Sequence, residues 1–180
     1  GGTVNLAGGT ISGNKATMGS NDAGGGAIYM RGCGTITISG NTEITGNSSS
    51  LDGGAILMGW GTVTISGNAK LTGNTASRWG GAICLRKDAD KATTLNMTGG
   101  EISGNNKASS GGGVYMGEGT FNMSGSAAIT GNNGTYGGVY VEGTFSMSGG
   151  TICGNTESSG CGVYVDYSGT FNMRGSAAIT

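Results

Sequence analysis

Residues 120–130, TFNMSGSAAIT, return at 170–180 as TFNMRGSAAIT, with one change in eleven positions. Self-similarity at a period of tens of residues decides architecture before any local assignment does. Relaxing the pattern uncovers a series. TVNLAG starts at Thr3, TITISG at Thr35, TVTISG at Thr62, TLNMTG at Thr94, TFNMSG at Thr120, TFSMSG at Thr144, and a seventh copy at Thr170. The steps are 32, 27, 32, 26, 24 and 26 residues. A second signal, IxGN or LTGN, closes on Asn14, Asn47, Asn74, Asn105, Asn132 and Asn155. A third, of the type GGAIYM, ends at Met30, Met58, Leu85, Met116, Val141 and Val165. Each unit reads as three short alternating strands punctuated by Gly, Asn and Ser, and no segment is long enough for a helix.

Successive side chains of a strand point to opposite faces. The apolar pairs Val4/Leu6, Ile36/Ile38, Val63/Ile65, Leu95/Met97, Phe121/Met123, Phe145/Met147 and Phe171/Met173 therefore share one side, the interior. The second strand contributes Ile11, Ile44, Leu71, Ile102, Ile129, Ile152 and Ile179 to it. The third adds Ile28, Ile56, Ile83, Val114, Val139 and Val163. Equivalent strands of successive units can pair only in parallel if each unit turns once around an axis. The expected fold is all-β, a right-handed parallel β-helix (β-solenoid) with three short strands per rung. About six and a half rungs of 24–32 residues form one domain over 1–180. Turns spelled GSAAI alternate with shorter ones in a two-rung module near fifty residues long, so the near-copy lengthens the rod without a new core. Neither end is blunted by charge, proline or a helix. The expectation is a segment of a longer solenoid, with end-to-end assembly into a filament as the alternative.

Gly is 42 of 180 residues and Pro is 0, while Leu, Ile, Val and Phe number only 28. Such low bulk signals disorder when net charge is high, but here it is −1 and the apolar residues are regularly spaced. With 9 basic and 10 acidic residues and no basic stripe, nucleic acid is not an expected partner. No run of about 18 apolar residues exists, so no membrane insertion of this segment is expected.

The Asn after each Gly has two roles open to it. It tolerates a left-handed turn, and stacked Asn amides can bond from rung to rung. Ile44 to Asn47 followed by Gly53 to Ile56, repeated over six consecutive units, resembles the FxxN and GGA[ILV] repeats of polymorphic outer-membrane proteins. These belong with other bacterial β-helix surface proteins and autotransporter passengers. Here Ile or Leu replaces Phe, and no barrel or anchor is recognisable. The resemblance implies an extracellular passenger of a bacterial surface, structural or adhesive. Its partners would be a host or neighbouring-cell surface, a glycan, or copies of itself.

Three outward features are candidate sites. Thr3, Thr35, Thr62, Thr94, Thr120, Thr144 and Thr170, with Thr37 and Thr64 beside them, form a hydroxyl lattice similar to the faces of ice-binding solenoids. Stacked Thr is equally a feature of ordinary strands. Tyr29, Tyr115, Tyr140 and Tyr164 share an outward column with Leu57 and Cys84, suited to a ligand or partner. Glu43, Lys70 and Glu101 make an alternating charge ladder, and Glu142 and Asp166, in adjacent rungs, are read as solvated turn residues. Cys153 and Cys161 bracket the loop GNTESSG and are either a disulfide clamp or two free thiols, while Cys33 and Cys84 lie on different faces. His is absent and the cysteines have no zinc spacing. Asp22, Asp52, Asp88, Asp90 and Asp166 are scattered, with no pair beside an Arg. No enzyme activity, metal or cofactor is expected.

Overall fold

A computed structural model describes residues 1–17, 24–86, 91, 93–156 and 162–180. It is a parallel β-solenoid whose strands stack in three sheets. The second strands form a seven-stranded sheet running from Thr10–Ser12 to Ala178–Ile179 in strict rung order. Ile11, Ile44, Leu71, Ile102, Ile129, Ile152 and Ile179 lie in one register column. First and third strands belong to one eleven-stranded sheet. They merge in the strands Ile28–Ile38 and Ile56–Ile65, where the third strand of one unit runs directly into the first strand of the next. A short extra pairing follows the asparagines, through Lys15–Ala16, Ser48–Ser49 and Thr75–Ala76.

The interior is as the alternation predicts. Ile36, Ile38, Val63, Ile65, Leu95, Met97, Phe121, Met123, Phe145 and Met147 are buried in one cluster with Ile44, Leu71, Ile102, Ile129 and Ile152 of the second strands and Ile56, Ile83, Val114 and Val139 of the third. In the last rung, which no further rung covers among the described residues, Val165, Met173 and Ile179 are exposed. Phe121 stacks on Phe145 with centroids 4.3 Å apart, and Phe145 leans on Phe171 at 4.9 Å. Each buried side chain of this size contributes roughly 1.5–3 kcal/mol, which is how a thin core repeated along an axis holds a glycine-rich chain together.

The glycines make the corners. Gly53 takes φ +60, while a Cβ on the following Gly54 would lie 2.1 Å from the carbonyl oxygen of Gly81. The first glycine of GGA thus supplies the left-handed turn, and the second lets adjacent rungs approach. The left-handed residue of IxGN is also glycine, φ +61 at Gly104, and not the asparagine expected to share that role. Among the described residues Lys107 is the one non-glycine with positive φ, at 70°. The asparagines are left to their amides.

Candidate functional site

Each ladder asparagine reaches forward and back. Asn105 Oδ1 accepts the backbone N–H of Asn74 at 2.8 Å and the amide of Asn74 at 3.0 Å. Its own Nδ2 donates to Leu71 O at 3.0 Å and to Asn132 Oδ1 at 2.8 Å. The same pattern joins Asn14 to Asn47, Asn47 to Asn74, and Asn132 to Asn155. Asn47, Asn74, Asn105 and Asn132 are fully buried, so the column is a polar seam inside the rod, not a surface for ligands.

The threonines Thr35, Thr62, Thr94, Thr120, Thr144 and Thr170 stack in register, with Thr3 opposite Thr35 and Thr37 opposite Thr64. Beside them Asn122 Nδ2 donates to Asn96 Oδ1 at 2.9 Å, so part of this lattice is spent on rung-to-rung bonding.

The outward column of the third strand differs from expectation. Leu57, Cys84 and Tyr115 are buried, at 0%, 0% and 4% exposure, in a second cluster outside the main core. The cover comes from the residue before each GG turn: Gly24, Asp52, Trp79, Ser110 and Tyr136 in successive units. Up to the fourth unit the two columns are complementary in size, whereas Tyr136 and Tyr140 of the fifth are both large. Gly24 leaves room for Leu57, since a Cβ there would lie 2.3 Å from Leu57 Cδ2. Cys84 is small where Trp79 is large, and Ser110 is small where Tyr115 is large. Trp79 fills the aromatic place that Cys84 vacates and stacks on Tyr115 at 4.9 Å. Tyr115 stacks on Tyr140 at 5.2 Å, and Tyr140 on Tyr164 at 5.2 Å. Tyr29 packs at the edge of this cluster. Ring faces are thus largely occupied by neighbouring rings.

Asp52 anchors the cover. It is fully buried, and Arg78 grips it at both oxygens, Nε to Oδ1 at 2.8 Å and Nη2 to Oδ2 at 2.6 Å. Arg86 Nη2 stands 3.5 Å from Oδ2. The guanidinium of Arg78 also lies 4.1 Å above the Trp79 ring. An Asp expected to be isolated in a turn therefore has two arginines, one of them 26 residues away in sequence.

Glu142 and Asp166 are not merely solvated. Tyr115 Oη donates to Glu142 Oε1 at 2.6 Å, and Tyr140 Oη donates to Asp166 Oδ2 at 2.5 Å, each tyrosine bonding a carboxylate one rung ahead. Burial first, then these hydrogen bonds, hold both phenols well above the ordinary tyrosine pKa. A folded-state pKa raised above the unfolded one means that this contribution to stability is complete below pH about 10 and is lost as pH climbs further. Titrated by phenolate absorbance at pH 11, the native chain should ionise nearly two fewer of its six tyrosines than the denaturant-unfolded chain. Coincident curves would contradict the burial of Tyr115 and the bonding of Tyr140.

Glu43, Lys70 and Glu101 occupy one register column. Cys153 is half-buried, and its suggested partner Cys161 lies outside the described residues, as do Asp22, Asp88 and Asp90. Among the described residues no group of three or more His, Cys, Asp or Glu converges to hold a metal ion, and no helix is long and apolar enough to cross a membrane.

Two stretches, residues 8–31 and 62–86, match the model of the Chlamydia polymorphic membrane protein repeat. Each contains a ladder asparagine, Asn14 or Asn74, and a GGAI turn, at 25–28 or 80–83. No curated protein and no solved structure matches the chain. In these two stretches the chain, wound into a parallel β-solenoid, is thus similar to the Chlamydia polymorphic membrane protein repeat.

Proposed function

We propose that the chain is a non-enzymatic display segment of a bacterial surface protein, a stiff rod whose outward side chains contact a host or neighbouring cell. The observation that carries this reading is how the repeat spends its residues. The inward aliphatics, ladder asparagines and paired glycines are consumed in joining rungs, while outside the recurring threonine column the outward positions change from unit to unit. Along the second strand Thr10 becomes Glu43, then Lys70, Glu101, Ala128 and Thr151. A scaffold held constant beneath a varied surface suits recognition better than catalysis, which needs particular groups converging in a cleft. The matched family is one of membrane proteins by its own description, which supports an outer-surface setting for this segment.

The accessible part of the aromatic face is the contact surface proposed. Tyr136 is 38% exposed and Tyr167 fully so, beside half-buried Tyr140 and Tyr164. Tyr136 leans over Tyr164 at 5.1 Å and meets Tyr140 edge-on at 6.2 Å. These rings combine apolar area with a hydroxyl, the usual chemistry of contact hot spots. The paired change Tyr136→Ala and Tyr167→Ala should lower binding of the purified segment to target cells at least tenfold while leaving its circular dichroism unchanged. Undiminished binding by that variant would remove this face from the reading, and failure of the native segment to bind any cell would remove the reading itself.

A further inference from the structure

From the third rung onward the turn between first and second strands alternates in length. Between the flanking inward residues there are five residues at 66–70, four at 98–101, five at 124–128, four at 148–151 and five at 174–178. A short turn between two longer ones leaves a recess. That of the fourth rung is a cleft of about 240 Å³, lined by Gly67, Asn68, Lys70, Gly100, Glu101 and Ser126, with Ala69 and Ala128. Its position is fixed by close backbone approach: a Cβ on Gly99 would lie 2.9 Å from Gly67 O and 3.5 Å from Ser126 Oγ. Two rungs further on the arrangement repeats. A Cβ on Gly149 would lie 3.0 Å from Gly125 N and 3.4 Å from Ser176 Oγ. Register confirms the spacing, Glu101 opposite Ala128 and Ala128 opposite Thr151. The two short turns are therefore about 9.6 Å apart, twice the spacing of neighbouring strands.

We propose that these recesses bind an extended, neutral β-1,4-linked glycan laid along the rod, one sugar in each. The proposal rests on the surface-binding reading above and names a ligand class for a different face. Three features choose the ligand. The lining of the fourth-rung recess mixes amide, hydroxyl, ammonium and carboxylate groups with alanine methyls, as the hydroxyls and C–H faces of a pyranose require. Its counterpart two rungs on is neutral, with Ala128 and Thr151 where Lys70 and Glu101 stand. Lys70 and Glu101 are adjacent in register and of opposite charge, which does not favour a polyanion. Spacing is the third feature. In an extended β-1,4 chain successive sugars are flipped, so every second one presents the same face, and sites two rungs apart can receive the same face twice. Occupying both converts the second contact into an intramolecular event.

Calorimetry with neutral β-1,4-linked oligosaccharides of one to six sugars tests this. Affinity should rise at least tenfold between the disaccharide and the trisaccharide, the shortest chain that reaches both recesses. A variant in which residues 98–101 are replaced by SGNAK, the turn of the preceding rung at 66–70, fills one recess with a turn the solenoid already tolerates. It should lose that gain while its circular dichroism stays native. Equal hexasaccharide binding by this variant and the native chain would overturn the proposal, and so would absence of binding by the native chain. If cells are still bound through Tyr136 and Tyr167 while oligosaccharides are not, the glycan site alone falls and the display reading stands.

Discussion

Alanine at Asn105 should lower the stability of the solenoid by about 3 kcal/mol, more than any change on its surface. The side chain makes four hydrogen bonds, two accepted from Asn74 and one each donated to Leu71 and Asn132. Removing it does not affect its partners equally. Asn132 Oδ1 keeps the backbone N–H of Asn105 at 3.1 Å, and Asn74 Nδ2 keeps Ile44 O at 2.9 Å. The backbone N–H of Asn74 loses its acceptor in a fully buried site, and one amide hydrogen of Asn74 is left with it. Each orphaned buried group costs roughly 1–3 kcal/mol. In a quasi-one-dimensional array the loss is felt at the interface between two rungs. Hydrogen exchange should show it locally, as accelerated exchange at the Asn74 amide beside a lower urea midpoint for the whole chain. An unchanged midpoint would mean that the seam is not a stabilising element.

Arg78→Ala should cost about 3 kcal/mol by a different route. Asp52 is completely buried, and its bidentate partner would vanish while the carboxylate stayed behind. Breaking one side of a buried pair typically costs 3–5 kcal/mol, and Arg86 at 3.5 Å retains part of the compensation, which places the expected value at the low end. The same substitution removes the cation above Trp79. Trp79 covers the Cys84 rung, so the thiol, buried in the native chain, should become reactive toward a maleimide. Arg78→Ala together with Asp52→Leu should recover most of the stability, because no charge is then left stranded. If the single variant were as stable as the native chain and Cys84 stayed unreactive, the clamp would not be what holds the cover down.

The rung order, the interior and the asparagine seam were legible because one physical rule, alternation of side chains across a strand, acts identically in every copy. Val63, Leu95, Phe121 and Phe145 differ in shape but not in phase. What was not legible depends on contacts between columns that the repeat does not align. Tyr115 looks outward by phase, yet Trp79, in a loop of the preceding unit, folds over it. The signal was present as paired sizes, Cys84 with Trp79 and Tyr115 with Ser110, and becomes readable only once the position before each GG is lined up with the outward strand position. Glu142 follows Tyr140 by two residues but bonds Tyr115, a partner one rung back. Comparing equivalent positions finds Glu142 with Asp166 and misses this offset. The left-handed turn went to Gly104 because a residue without Cβ reaches that conformation at less cost than Asn.

The asparagine seam has a sense of direction. In every step the earlier rung donates and the later one accepts, Asn14 to Asn47 through to Asn132 to Asn155. This polarity belongs to the bonds accepted by Oδ1; the same asparagines also donate back through Nδ2 to a backbone carbonyl of the earlier rung, as Asn105 does to Leu71. The aligned amides add as peptide dipoles do along a helix. Growth of such a rod, by further copies of its unit or by joining another rod, continues the seam only head to tail: two like ends would not bring an asparagine N–H against an asparagine Oδ1.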